Sequence, residues 1–188
     1  MYRKTDNQQQ RNANQVNTMT KASAAARSAI FFLIAPGMVI GVLPWWISRW
    51  RFRGPSLGLG FLRYLGVVLL LIGVAGLVDS FAKFVLKGLG TPSPTMPTKS
   101  LVVDGLYRYV RNPMYLAIIL ALLGESLLFE NYGILAFATG TWIVTHTFVV
   151  AYEEPVLQAK YGNDYSKFLA HVPRWIPRLT PWKPAKCK

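Results

Sequence analysis

Two adjacent carboxylates, Glu153 and Glu154, close an apolar run and are followed at once by Pro155. Carboxylates beside hydrocarbon are costly, so such a pair is either a hydrated helix end facing headgroups or part of a site. Other groups lie around them in the chain: Gly88-Leu89-Gly90, the run Thr91-Pro92-Ser93-Pro94-Thr95-Met96-Pro97, a Gly105-Leu106-Tyr107 turn, and Arg111-Asn112-Pro113-Met114-Tyr115 opening another apolar run. A glutamate can meet an ammonium, Arg108 or Arg111 a carboxylate, and Tyr107 or Tyr115 a flat ring or a cation by cation–π contact. A lone Gly-x-Gly with no strand before it is not a dinucleotide fingerprint.

Other candidates carry plainer readings. Asp79 and Lys83, four residues apart, fit an ion pair along a helix face. His146 lies seven residues before Glu153 and so on a similar helical face, as a hydrogen-bonded core histidine or as a base at an acceptor site. Glu125 sits inside an apolar run beside Ser126, which can ease its burial. Trp45, Trp46 and Trp182 fit anchors at a membrane interface, as do the Trp and Arg side chains from Val172-Pro173-Arg174-Trp175 onward. The single cysteine, Cys187, leaves no disulfide, zinc or redox pair, and the ending Cys-Lys is no prenylation box. No metal site is expected.

The elements that must position these residues follow from the apolar pattern. A chain of 188 residues that is 52% hydrophobic is too apolar for an ordinary soluble domain of that size. Its apolar runs, Ser28 to Ile47, Phe61 to Leu77, Met114 to Phe129 and Ile134 to Tyr152, approach the ~17–25 residues that cross a bilayer as helix. The fold class expected is therefore an all-α integral membrane protein of about four transmembrane helices. Only Glu130, Asn131, Tyr132 and Gly133 separate the last two runs, which makes them a tight helical hairpin. A β-barrel would need alternating segments.

The net charge of +13 suits membrane topology better than nucleic-acid binding, since half the chain is apolar and no binding motif interleaves the basic residues. Lys83, Lys87, Lys99, Arg108 and Arg111 precede the third run, and Lys160, Lys167, Arg174, Arg178, Lys183, Lys186 and Lys188 follow the fourth. The turn between those runs has no Lys or Arg, so the positive-inside bias puts both basic regions, and the N-terminal tail, in the cytosol. Arg49, Arg51 and Arg53 then fall in the outer loop, against that bias. Residues 1–27 are mostly polar with almost no large apolar side chains, which predicts a disordered tail before one domain over 28–188. The first run is long for a signal peptide and lacks a small-residue cleavage pattern, which predicts an uncleaved span. The Pro-rich run must be a loop, pinned at both ends to membrane helices, and Pro155 opens an amphipathic cytosolic C-terminal helix.

The stretch Leu101-Val102-Val103-Asp104-Gly105-Leu106-Tyr107-Arg108-Tyr109-Val110-Arg111-Asn112-Pro113-Met114-Tyr115, followed by Glu153-Glu154-Pro155-Val156-Leu157 and Tyr161-Gly162-Asn163-Asp164-Tyr165, resembles the isoprenylcysteine carboxyl methyltransferase and phospholipid methyltransferase superfamily. The resemblance spans roughly residues 60 to 178. It implies a membrane methyltransferase in which the loop before the third span, that span's start and the glutamates after the fourth close over S-adenosyl-L-methionine. Lys99, Ser100, Leu101 and Val102 then match the cofactor-lining stretch, and Tyr107 an aromatic of the site. Asn112, Pro113, Met114 and Tyr115 match the family's His-Pro-x-Tyr, and Glu153 its cofactor-binding glutamate. Gly88 and Gly90 look like the Gly-x-Gly of the phospholipid enzymes. Glu154 and Arg111 remain as candidates for the catalytic work.

Two departures bear on the acceptor. Asn112 stands where the family has histidine, and an amide can hydrogen-bond but cannot act as a base near neutral pH. Val149 stands where isoprenylcysteine enzymes have an arginine that contacts substrate. S-adenosylmethionine carries a sulfonium, an ammonium and a carboxylate, which suits carboxylate, cation and aromatic groups. Methyl transfer is an in-line displacement in which orientation alone is worth about 7–11 kcal/mol. The expected partner is a lipophilic acceptor entering from the bilayer. Carboxyl, phospholipid (ethanolamine) amine and thiol methylation stay open, as does a non-catalytic membrane subunit that keeps the fold.

Overall fold

The computed structural model describes residues 34–49, 51, 60–88, 101 and 103–183. Among them every regular element is helical. The expected tail at 1–27 and the Pro-rich run at 91–97 lie outside the described residues. Helix α1 covers Ile34–Ser48 with a π segment at Met38–Val42. Helix α2 is Phe61–Gly88, α3 is Pro113–Leu128, and α4 runs over Tyr132–Tyr161 through a π segment at Val149–Glu153. A short helix α5, Asn163–His171, completes the order.

Two helices, Phe61–Lys83 within α2 and Tyr132–Tyr161, are long and apolar enough to cross a bilayer. Only 17% of the apolar window in each is buried inside the protein, so these side chains need another apolar medium. Tyr64, Val68, Leu71, Ile72 and Val78 on α2, and Ile143 and Val144 on α4, all face outward. Lipid is the medium that suits them. Helices α1 and α3 are shorter: α3 has 16 residues, about 24 Å of helix. It compensates by burial, with Ala117, Ile119, Ala121, Leu122 and Gly124 enclosed.

Helix α3 begins with Pro113 at its first turn, where the missing N–H is no loss. Its packing on α2 is close enough to exclude side chains. A Cβ added to Gly73 would lie 2.6 Å from the Ala121 amide nitrogen, and one on Gly124 would lie 2.5 Å from that of Leu70. Small residues at such a crossing let backbones touch, which supplies van der Waals contact where lipid offers no hydrophobic drive. The hairpin between α3 and α4 is shorter than a helical turn. Glu130 takes a left-handed φ of 48°, and the Asn131 side chain caps α4 by accepting from the Gly133 and Ile134 amides at 2.8 and 3.3 Å.

These contacts give the bundle two polar ends. At the hairpin end Arg63, opening α2, pairs with Glu130 at 3.0 Å, and the end of α1 approaches through Ile47 beside Gly133. Arg49 closes α1 there in a left-handed conformation with its guanidinium 5.2 Å from the Trp45 ring. At the other end Asp79 and Lys83 on α2 are ion-paired at 3.7 Å. Gly105, with φ +57°, sits against both, so close that a Cβ there would be 2.9 Å from Lys83 Cε. That contact docks the 104–111 segment onto α2 and opens the region where α3 starts and α4 ends.

Candidate functional site

The segment from Asp104 to Asn112 is short of regular structure, and its backbone is satisfied by the far end of the chain. The Arg111 amide donates to the Pro173 carbonyl at 2.9 Å, the Arg178 amide to Tyr109 and the Trp182 amide to Arg108, each also at 2.9 Å. Arg108 Nε donates back to the Trp182 carbonyl at 2.9 Å. Residues 172–183 thus form a strap across the site end of the bundle. Beneath it Tyr165, Phe168 and Val172 make a small apolar cap with Leu101, Val103, Leu157 and Trp182 packed around it. Trp182 packs in this cap against Phe168 and stacks on His171.

The two glutamates have separate partners. Glu153 Oε2 accepts from the Tyr115 hydroxyl at 3.2 Å, which ties the end of α4 to the start of α3. Glu154 is held by two arginines: Arg111 Nη1 reaches its Oε1 at 2.9 Å, and Arg174 grips both oxygens, Nε to Oε1 at 2.8 Å and Nη2 to Oε2 at 2.9 Å. The fork geometry of Arg174 is the bidentate kind that a carboxylate accepts best. Its contact with Glu154 raises the Arg174 pKa further. Arg111 is mostly enclosed, beside the Tyr165 hydroxyl as well as Glu154, and its buried Nε has no partner. An orphaned, buried guanidinium N–H is a donor ready for an anionic oxygen.

Tyr107 stands near Glu153, Tyr115 and Asp79, and burial above all, then the Glu153 carboxylate, drives its phenol well above the ordinary range. It is a neutral hydroxyl and ring at any physiological pH. Asn112 is buried and donates from Nδ2 to the Arg174 carbonyl at 3.3 Å, so its amide helps to hold the strap. Pro113 is buried beside it, while Met114 and Tyr115 are partly so. Gly88 ends α2. Gly90, Lys99, Ser100 and Val102 lie outside the described residues. Leu101 packs on the apolar cap, and Val149 is 1% exposed, an apolar wall with no charge to offer.

The π segment Val149–Glu153 changes one expectation. A π turn inserts a residue into the helix and rotates everything after it, so seven-residue spacing no longer puts His146 and Glu153 on one face. His146 Nδ1 instead accepts from the Trp175 indole N–H at 3.0 Å, and its ring stacks on Trp142 at 5.4 Å. Arg174 and Trp175, read from sequence as interface side chains, are here bound to α4. The sequence offered Arg174 as a cation that could reach the site from the tail, and it does so on Glu154.

Within the sequence, residues 61–164 match the phospholipid methyltransferase family. Over 80 residues, 42% of this chain, there is 33% identity to the protein-S-isoprenylcysteine O-methyltransferase of Schizosaccharomyces pombe, and that alignment covers 34% of the yeast protein. The chain thus spans about a third of the length of that curated relative.

Proposed function

Because the chain belongs to the phospholipid methyltransferase family, we propose that it moves a methyl group from S-adenosylmethionine to a lipophilic acceptor arriving through the bilayer. The observation that carries this reading is the convergence of Glu153, Tyr115, Tyr107 and Arg111 at one end of an apolar helical bundle, all inside the matched stretch.

The residues fit the cofactor by its own chemistry. Glu153 has a carboxylate that a single phenol engages, so it can take an ammonium. Arg111 keeps an unpaired buried Nε for a carboxylate. Tyr107 and Tyr115 add neutral rings beside Glu153, suited to a cation or a flat base. When bound, S-adenosylmethionine supplies an electrophilic methyl group on a sulfonium. The protein's part is to bind, orient and exclude water. Glu154, which the sequence offers as a catalytic group, is read here as a positioning residue: it fixes Arg111 and anchors the strap through Arg174. Asn112 provides no base, so an acceptor that must lose a proton would lose it elsewhere. By this reading the cofactor-binding set is Gly88, Gly90, Lys99, Ser100, Leu101, Val102, Tyr107, Asn112, Pro113, Met114, Tyr115 and Glu153.

The charges support a choice of acceptor. Glu153 and Glu154 balance Arg111 and Arg174, and Arg174 is spent on Glu154 in two contacts. With Val149 buried and apolar, none of these four charged groups is left over for a second buried carboxylate, whose desolvation would go uncompensated unless Arg108 reaches it. A farnesylcysteine-type acid is thus a poor acceptor, and a lipid amine or another uncharged nucleophile a better one. For topology we take four spans, with both termini and the Glu153 end cytosolic and the Glu130 to Gly133 turn outside, as the Lys and Arg distribution favours.

The test is binding and transfer with tritiated S-adenosylmethionine on detergent-solubilised full-length protein, using phosphatidylethanolamine and N-acetyl-S-farnesylcysteine as acceptors. Saturable binding with label moving into the phospholipid is the expected result. Binding without transfer to any lipid extract would favour a non-catalytic subunit, the reading that Asn112 suits. Absence of binding would defeat the proposal.

A further inference from the structure

His146 is a polar residue within an apolar helix, and its contacts fix more than its position. Trp175 Nε1 lies 3.0 Å from its Nδ1. An indole nitrogen can only donate, so Nδ1 accepts and the ring proton sits on Nε2. Trp142 stacks on the ring at 5.4 Å and Trp175 lies tilted to it at 6.0 Å, which holds its plane. Nε2, the other ring nitrogen, has no hydrogen-bond partner among the described residues. An oriented N–H donor left unpaired on an apolar helix is expensive unless something arrives to accept from it.

What arrives is limited by depth. His146 precedes Glu153 by seven residues, about 10 Å of helix, in the direction of the bilayer interior. The polar interface of one leaflet is about 5–8 Å thick. With Glu153 at the aqueous rim, that rise puts His146 at or just below the inner edge of the interface, close to the level of a glycerolipid's ester carbonyls. A prenylated cysteine acid has only a thioether and hydrocarbon so far below its carboxylate. Trp175 follows Arg174 directly, so the ring is also coupled to the clamp on Glu154.

The geometry points to His146 as a positioning residue for the acceptor, its Nε2–H donating to an ester carbonyl of a glycerolipid whose headgroup lies at the polar end of α4. This deepens the methyltransferase reading and rests on it.

The experiment is native mass spectrometry of the detergent-solubilised full-length protein titrated with diester phosphatidylethanolamine, its diether analogue, or N-acetyl-S-farnesylcysteine. Wild type should bind the diester about fivefold more tightly than the diether, the ratio expected of one neutral hydrogen bond. His146→Ala should bind both equally and leave farnesylcysteine unchanged. Two conservative variants separate a lipid contact from a structural latch. His146→Gln carries an amide N–H at the place of Nε2 and should restore the preference, whereas His146→Asn carries an acceptor at the place of Nδ1 and should not. No ester preference in wild type, restoration by Asn in place of Gln, or equal loss for farnesylcysteine would each overturn the assignment. Retention of tritiated S-adenosylmethionine is measured on the same wild-type sample: its absence removes the methyltransferase reading, while the ester preference alone decides on His146.

Discussion

Replacing Arg174 by Ala removes two of the three contacts that hold Glu154 and leaves Arg111 as its remaining partner. Hydrogen bonds to charged groups are worth about 1.5–3 kcal/mol each. Arg174 is 30% exposed, however, and water will replace part of what is lost, while the Glu154 carboxylate, at 16%, is less well placed to recover hydration. One bond's worth, about 2 kcal/mol, is the reasonable expectation. For a chain of this size that corresponds to a fall of roughly 4–8 °C in Tm, read by intrinsic fluorescence in detergent. Arg174→Lys keeps the charge but loses the planar fork, so it should recover no more than half. A double-mutant cycle with Glu154→Gln isolates the pair and should give a coupling of about 1.5 kcal/mol, well above the ~0.3–0.5 kcal/mol scatter of independent sites. A coupling inside that scatter, or Lys performing as well as Arg, would show that the clamp is an incidental surface pair and that the strap is held by backbone contacts alone.

Glu153→Gln should weaken S-adenosylmethionine binding by about 1.5–3 kcal/mol, a tenfold or larger rise in Kd by calorimetry, and an unchanged Kd removes Glu153 from the site. Burial, then Glu154, pushes the Tyr165 phenol up to about 12. An unfolded chain ionises there near 10, so this contribution to stability is complete below about pH 10 and is lost as pH rises toward 12. Absorbance titration at alkaline pH should show a late tyrosine that disappears in Tyr165→Phe. Gly73→Ala, whose Cβ would meet Ala121 at 2.6 Å, should cost about 1–3 kcal/mol of thermal stability. Gly140→Ala on α4, with nothing within 4 Å, should instead be neutral or stabilising, and equal effects would refute the close α2–α3 crossing.

What was legible in the sequence is what local chemistry encodes. The later apolar runs, Pro113 at a helix start and the short turn that holds Asn131 are local features, and they stand where the sequence pattern put them. Span length was less legible. Among the described residues only α2 and α4 reach bilayer length, and α3, shielded by its neighbours, can be short. That the start of α3 and the end of α4 meet was implied by the family resemblance, but the hydrogen bond from Tyr115 to Glu153 was not named by residue type. Nor were the roles within the glutamate pair. Which of Glu153 and Glu154 is free for a ligand depends on the π segment that ends at Glu153, and a one-residue insertion in a helix has no compositional mark.

The strap was the least legible part, for a reason that also bears on function. Its contacts join residues 62 to 74 positions apart, Asn112 with Arg174 and Arg108 with Trp182, and such pairing leaves no periodicity in either segment. The family match ends at residue 164, ten residues before the arginine that neutralises Glu154. The helices α2 to α4 and both glutamates lie inside the matched stretch, while the Arg174 clamp on Glu154 comes from a segment beyond it. A tail that supplies the second cation can alter which acceptor charge is tolerated without changing any residue of the matched core. Sequence differences over 172–183 are accordingly the first place to look for differences in acceptor among proteins with this bundle, ahead of the glutamates themselves.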